Sequence, residues 1–163
     1  MARVLIVGCG GRGRALAGEL AERGHAVRGT TRDSDALGAI EGAGVEAVQA
    51  DPDRLGTLLP HLAGVSVVVW LMATAEGSEE QVAALHGPRL ESILGKLVDS
   101  GVRGFVYESV GTVDGDVLAA GAALTRHAGE IHRMPVALIT EDPAAGDAWR
   151  TVAAAAVDRV LGA

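Results

Sequence analysis

Gly8, Gly10 and Gly13 stand at the spacing G-x-G-x-x-G, directly after the apolar run Val4-Leu5-Ile6-Val7 and directly before a helix-forming segment, Arg14 to Arg23. This arrangement suits a diphosphate. The first glycine allows a tight turn, the second lets the backbone approach a pyrophosphate, and the third lets the helix pack on the strand. The helix start adds unpaired N–H groups and a positive dipole end. Gly11 and Arg12 complete the loop, and Arg12 could offer a further positive charge to a phosphate. Glycine makes up 23 of the 163 residues, so the spacing alone is weak evidence and its surroundings must decide.

In dinucleotide-binding turns the end of the second strand selects the cofactor: an acid there holds the ribose 2′-hydroxyl, and an arginine accommodates a 2′-phosphate. Here that end reads Gly29-Thr30-Thr31-Arg32-Asp33, with threonine in the place of the acid. The Arg32 guanidinium, helped by the Thr30 and Thr31 hydroxyls, favours NADP(H), while Asp33 next door keeps NAD(H) possible. Asp51 reads two ways, as a carboxylate reaching an adenine amino group or as a helix N-cap before Pro52. Met72, with Leu71 and Ala73, either lines the adenine or ribose side of a cleft or packs in the core. Cys9 sits beside the phosphate turn at a helix N-terminus, where a thiol pKa can fall; the plainer reading is a small residue that fits a tight turn.

The elements that must position these residues follow from the pattern. Apolar runs recur at Val4–Val7, Ala26–Thr30, Val45–Ala50, Val65–Leu71, Gly104–Glu108 and Val136–Ile139, separated by stretches of helical length. Six strands alternating with six helices are predicted. Four joints share one form, Arg23-Gly24-His25, Ala43-Gly44-Val45, Ala63-Gly64-Val65 and Ser100-Gly101-Val102, in which glycine stops a helix just before a strand. Helix starts are expected at Asp33 or Ser34, at Asp51-Pro52, and at the capping-box pattern Ser78-Glu79-Glu80-Gln81. Gly87-Pro88 either divides or kinks the fourth helical segment. Right-handed crossovers then give an α/β fold, a doubly wound parallel sheet of six strands in the order 3-2-1-4-5-6 with helices on both faces. One domain is expected over residues 1–163, and the glycine loop falls after its first strand.

Composition narrows the partners. Four aromatic residues and a formal charge of −7 argue against nucleic acid, which needs stacking platforms and a basic surface. The single cysteine excludes an internal disulfide and fits a reducing compartment. The start Met1-Ala2-Arg3-Val4 runs into a strand without a leader pattern, and no apolar run approaches the roughly 20 residues of a membrane span, so a cytoplasmic protein is expected. The five histidines are scattered without metal-ligand spacing. The largely apolar fourth and final helices make a homodimer plausible.

Val4–Asp33, Val48-Gln49-Ala50-Asp51 and Gly101-Val102-Arg103-Gly104-Phe105-Val106-Tyr107-Glu108-Ser109 together resemble an extended or atypical short-chain dehydrogenase/reductase of the NAD(P)-dependent epimerase/dehydratase type. The resemblance implies a Rossmann domain, a nicotinamide cofactor and a catalytic Ser or Thr at the end of the fifth strand, which maps onto Ser109. It also implies a Tyr-x-x-x-Lys pair on the fifth helix. Between Gly111 and Met134 there is neither residue: Tyr107 lies in a strand and Lys96 on the preceding helix. His127 on that helix could serve as an acid, although a lone helical histidine is more often a surface or packing residue. The family's substrate lobe after the sixth strand is expected to be missing here, leaving a cleft completed by the Ala73–Pro88 loop, the Val110–Asp116 loop or another subunit. Two functions follow: an NADP(H)-dependent oxidoreductase with an unusual proton donor, or a dinucleotide-binding sensor or partner-binding module without turnover. A methyltransferase is disfavoured, since it wants an acid where Thr30 and Thr31 stand.

Overall fold

The apolar runs assemble around β1 (Arg3–Val7), which is flanked by β2 (Ala26–Thr31) and β4 (Val67–Trp70). In the computed structural model, which describes residues 2–162, the sheet continues through β3 (Glu46–Gln49) on one side and β5 (Gly104–Glu108) and β6 (Val136–Ile139) on the other. The order is β3-β2-β1-β4-β5-β6 and every ladder is parallel. This is the doubly wound Rossmann arrangement. Val4 pairs with Val27 and with Val67, and Val69 with Val106, so the central strands are in register along their apolar lengths.

Both faces of the sheet are buried, and this is why β1 reads as an unbroken apolar run rather than an alternating one. Val4 and Ile6 point into one core with α1 (Gly11–Glu22) and α6 (Asp147–Gly162). Leu5 and Val7 point into the other, which contains Leu90, Ile93 and Leu97 of α4 (Pro88–Leu97) and Ala122 and Ala128 of α5 (Gly115–His132). On α1 the buried residues are Gly13, Leu16, Ala17 and Leu20, one stripe at helical spacing. The apolar face of α6 is likewise spent on the sheet, with Trp149, Ala153, Ala156, Val157 and Val160 buried.

Gly24, Gly44 and Gly64 adopt φ values of +90°, +80° and +73°, the left-handed stops expected of them. Gly101 does not. There the Ser100 hydroxyl closes the turn, donating to the Leu97 carbonyl at 2.7 Å and accepting from Val102 N–H at 3.1 Å. At the fifth joint Arg133 takes the left-handed position, with φ +51°. Between β2 and β3, Asp33 caps a single 3-10 turn that leads into the short α2 (Leu37–Gly42).

One expected helix is replaced. Between β3 and β4 the chain makes two 3-10 turns, Leu55–Thr57 and Leu59–Leu62, in place of an α-helix starting at Asp51-Pro52. Pro60 explains this, because inside an α-helix its ring would meet the Gly56 carbonyl and its missing N–H would break the ladder. The fourth helical segment is two helices, α3 (Glu79–His86) and α4, separated at Gly87-Pro88. Ser78 and Gln81 form the capping box of α3 as the sequence pattern requires. Among the described residues, no helix is long and apolar enough to cross a membrane.

Candidate functional site

The glycine loop is built from contacts that leave no room for side chains on one side and leave the other side open. Gly8 has φ +87°, and a Cβ there would lie 2.3 Å from Met72 Cε and 2.7 Å from the Leu71 carbonyl oxygen. Its N–H donates to Thr30 Oγ1 at 3.1 Å, and Cys9 N–H donates to the Thr30 carbonyl at 2.8 Å. Thr30 therefore fastens the loop to β2, which is what its hydroxyl does at the position of the selecting acid. A Cβ at Gly13 would meet Cys9 Sγ at 3.2 Å and the Gly8 oxygen at 3.4 Å, so α1 packs directly on the turn. Gly10 is different: beyond its chain neighbours, a Cβ there would meet nothing within 4 Å among the described residues. The α1 N-terminus has no side-chain cap and no acid in its first turn, whereas α3 and α5 are capped by Ser78 and Asp114. Its N–H groups and dipole are thus left for an external anion, and the open space over Gly10 fits a diphosphate.

A cleft of about 270 Å³ lies over this loop at the carboxyl ends of β1, β2 and β3. Of the residues singled out from sequence, it brings together Gly8, Gly10, Thr31, Arg32, Asp51 and Met72. Thr31 Oγ1 accepts from Asp33 N–H at 3.1 Å, and the Arg32 carbonyl accepts from Gln49 Nε2 at 3.2 Å, which holds the backbone at Arg32 in place. The exposed Arg32 guanidinium has no hydrogen-bond or ion-pair partner among the described residues. Asp33 spends one carboxylate oxygen on Asp35 N–H at 2.9 Å. Asp51 Oδ1 accepts from Asp53 N–H at 2.9 Å, closing a turn with no α-helix behind it. Leu71 and Ala73 pack inside, and Met72 alone of the three borders the cleft. Gly11 is exposed at the helix start and Gly13 is buried beneath the turn.

Arg12 lies elsewhere. Its guanidinium donates to Glu108 Oε2 at 2.6 Å and Oε1 at 3.2 Å and to Thr74 Oγ1 at 2.7 Å, and it stacks over the Trp149 ring at 5.2 Å. The basic residue of α1 that borders the cleft with Arg32 is Arg14, which sequence reasoning passed over. Glu108 is fully buried and also accepts from Ala73 N–H at 3.1 Å. Burial pushes its carboxyl above the ordinary value, against the Arg12 guanidinium and the Ala73 N–H, which pull it down. The buried Trp149 indole N–H has no hydrogen-bond partner among the described residues.

Cys9 is a packing residue. It is 4% exposed, its sulfur fills the space beside Gly13 and Gly29, and burial pushes the thiol up to about 11, outweighing nearby Arg14. Ser109 follows β5, but its hydroxyl donates to the Ile139 carbonyl at 3.0 Å and it does not border the cleft. His127 lies in a groove between α4 and α5, apart from the cleft. A second buried pair went unread in the sequence: His86 Nε2 contacts the Met72 carbonyl at 2.9 Å and His86 Nδ1 contacts the Tyr107 hydroxyl at 2.6 Å. The Met72 carbonyl takes a donating Nε2–H, and burial lowers the imidazole pKa, which favours the neutral ring whose Nδ1 accepts from the Tyr107 hydroxyl. The pair fixes Met72, and Met72 closes on Gly8.

Comparison with known proteins agrees with this geometry. The model of a family described as NAD(P)H-binding matches residues 8–144. No curated protein matches the sequence. Among solved structures, UDP-glucuronic acid 4-epimerase from Bacillus cereus in complex with NAD is similar at 17% identity and a TM-score of 0.67, over 83% of this chain and 55% of that one. UDP-glucose 4-epimerase from Thermotoga maritima is similar at 13% identity and a TM-score of 0.70, over 83% and 54%. The triphenylmethane reductase of Citrobacter sp. complexed with NADP(H) is similar at 17% identity and a TM-score of 0.63, over 84% and 48%. The chain thus spans about half the length of these structures, and at such identities the likeness is one of fold. With the family model covering the glycine loop and five of the six strands in full, the chain belongs to the NAD(P)H-binding family.

Proposed function

We propose that the chain binds NADP(H) in preference to NAD(H), and that with this cofactor it works as an oxidoreductase of the reductase or epimerase type. The observation that carries the preference is the pair of arginines, Arg14 and Arg32, bordering the cleft over the glycine loop with no carboxylate bonded to either among the described residues. Gly8, Gly10 and the uncapped α1 N-terminus receive the diphosphate, Arg32 with Thr31 receives the 2′-phosphate, and Asp51 and Met72 border the adenosine. The nicotinamide, when bound, supplies hydride transfer: two electrons and a hydrogen pass to or from a substrate carbon while a proton is exchanged at its oxygen.

A second reading, dinucleotide binding without turnover, is favoured by one observation. The Ser109 hydroxyl is committed to a backbone carbonyl, and no tyrosine or lysine stands on α5 to exchange the proton. Titration with NADPH and NADH tests the common part. Wild type should prefer NADPH by at least about tenfold, as charge-assisted hydrogen bonds to a phosphate supply, and Arg32→Ala should erase that ratio. An unchanged ratio would mean that the selector lies elsewhere. Oxidation of bound NADPH by a panel of carbonyl compounds then separates the two readings.

A further inference from the structure

A second cavity, of about 440 Å³, opens where the start of α3 faces the start of α5. It meets the dinucleotide cleft at Ala75, which borders both. The two spaces differ in charge. Arg14 and Arg32 border the cleft and balance Asp51 and Glu76 there, whereas no lysine, arginine or histidine borders the second cavity among the described residues. Its wall is Val82, Ala83, Val113 and Val117, all half-buried, and the ionisable residues on its rim are Glu79 and Asp114. Neither helix start facing it is free to take an anion. Ser78 and Gln81 satisfy the first turn of α3, and Asp114 Oδ1 accepts from Asp116 and Val117 N–H at 2.9 and 3.3 Å on α5. The loop that carries Val113 is also fixed, since Val113 N–H donates to the Ala73 carbonyl at 3.0 Å.

From this charge division and the shared wall at Ala75, we propose that the second cavity is the substrate site and that it takes a small apolar molecule carrying no phosphate or carboxylate. The proposal rests on the dinucleotide reading of the neighbouring cleft. An apolar wall gains by removing such a molecule from water, while a diphosphate or carboxylate placed there would face two carboxylates with no compensating cation. A sugar linked to a nucleoside diphosphate is therefore the wrong class of substrate for this chain.

The test is binding to the protein loaded with NADP⁺, followed by saturation-transfer NMR and calorimetry, with acetophenone as the uncharged apolar probe, benzoate as its anionic counterpart and UDP-glucose as the nucleotide sugar. Acetophenone should bind at least about tenfold more tightly than benzoate, as like-charge repulsion at the rim requires, and the Glu79→Gln, Asp114→Asn double variant should narrow that gap. Val117→Trp, which fills the cavity, should abolish acetophenone binding while NADP⁺ binding persists. Should that variant fail to fold, Val82→Phe on the other helix makes the same test. Failure of NADP⁺ to bind would overturn the dinucleotide reading and this proposal with it. NADP⁺ binding with UDP-glucose or benzoate held as tightly as acetophenone, or with acetophenone binding unaltered by the filled cavity, would overturn this proposal alone.

Discussion

Gly8 and Gly10 are two residues apart and are glycines for different reasons. At Gly8 the fold demands it, because φ is +87° and a methyl group would overlap Met72 Cε and the Leu71 carbonyl. At Gly10 the protein demands nothing, since beyond the adjoining residues a methyl group there would meet no heavy atom within 4 Å among the described residues. On the proposed diphosphate reading, one glycine serves stability and the other the ligand. Gly8→Ala should lower stability by about 2–4 kcal/mol, through left-handed strain and overpacking. Gly10→Ala should change stability by no more than about 0.5 kcal/mol. It should nevertheless weaken NADPH by at least roughly tenfold, because its methyl stands where the backbone must approach the pyrophosphate. Chemical denaturation and cofactor titration of the two variants check this, and a Gly10→Ala protein with native affinity would remove the diphosphate from the loop. The positions of both glycines were legible from their spacing. Their division of labour was not, because it depends on Met72, which β4 brings in from far along the chain.

At the scale of elements, the strand order and the joints at Gly24, Gly44 and Gly64 were legible because each depends on local chemistry, an apolar run or a left-handed stop. The β3–β4 crossover was misread for a local reason too: Asp51-Pro52 resembles a helix start, and Pro60 forbids the helix that would follow. The identity of the basic residue at the cleft turned on the face of a helix. Residues two apart on α1 point roughly 200° away from each other, so Arg12 and Arg14 cannot both face Arg32. Gly13, buried against the turn, fixes which one does. The Glu108 partner of Arg12 lies 96 residues along the chain, and no local pattern announces it. The two arginines should therefore fail differently. Arg14→Ala should weaken NADPH by roughly tenfold with little change in stability, as loss of one charge-assisted contact implies. Arg12→Ala should cost about 3 kcal/mol of stability, because it strips the cation from a buried carboxylate. The reverse pattern would return Arg12 to the cofactor.

Across the whole molecule, charge is buried where α1, β5, the loop after β4 and α6 meet, at Arg12, Glu108, Thr74 and Trp149. Arg12 belongs to the glycine-loop helix and Trp149 to the last helix, so this cluster ties the cofactor turn to the end of the sheet's far side. Two effects compete there, and the sign of a pH dependence decides between them. Burial raises the Glu108 carboxyl above its ordinary 4.5, and Arg12 opposes that shift without cancelling it. A carboxyl with a raised native pKa holds more protons folded than unfolded between the two values, so its contribution to stability falls as pH rises through that window. The contribution is fully present below 4.5 and is lost once the pH passes the raised value. Glu108→Gln keeps a neutral side chain of the same shape and removes the titration. The unfolding free energy of the glutamine variant, measured against wild type from pH 4 to pH 8 by urea denaturation, should accordingly drift in favour of glutamine as pH rises. A drift in favour of wild type would show that the Arg12 ion pair outweighs the desolvation of the carboxylate, and that the cluster stabilises the charged form it encloses.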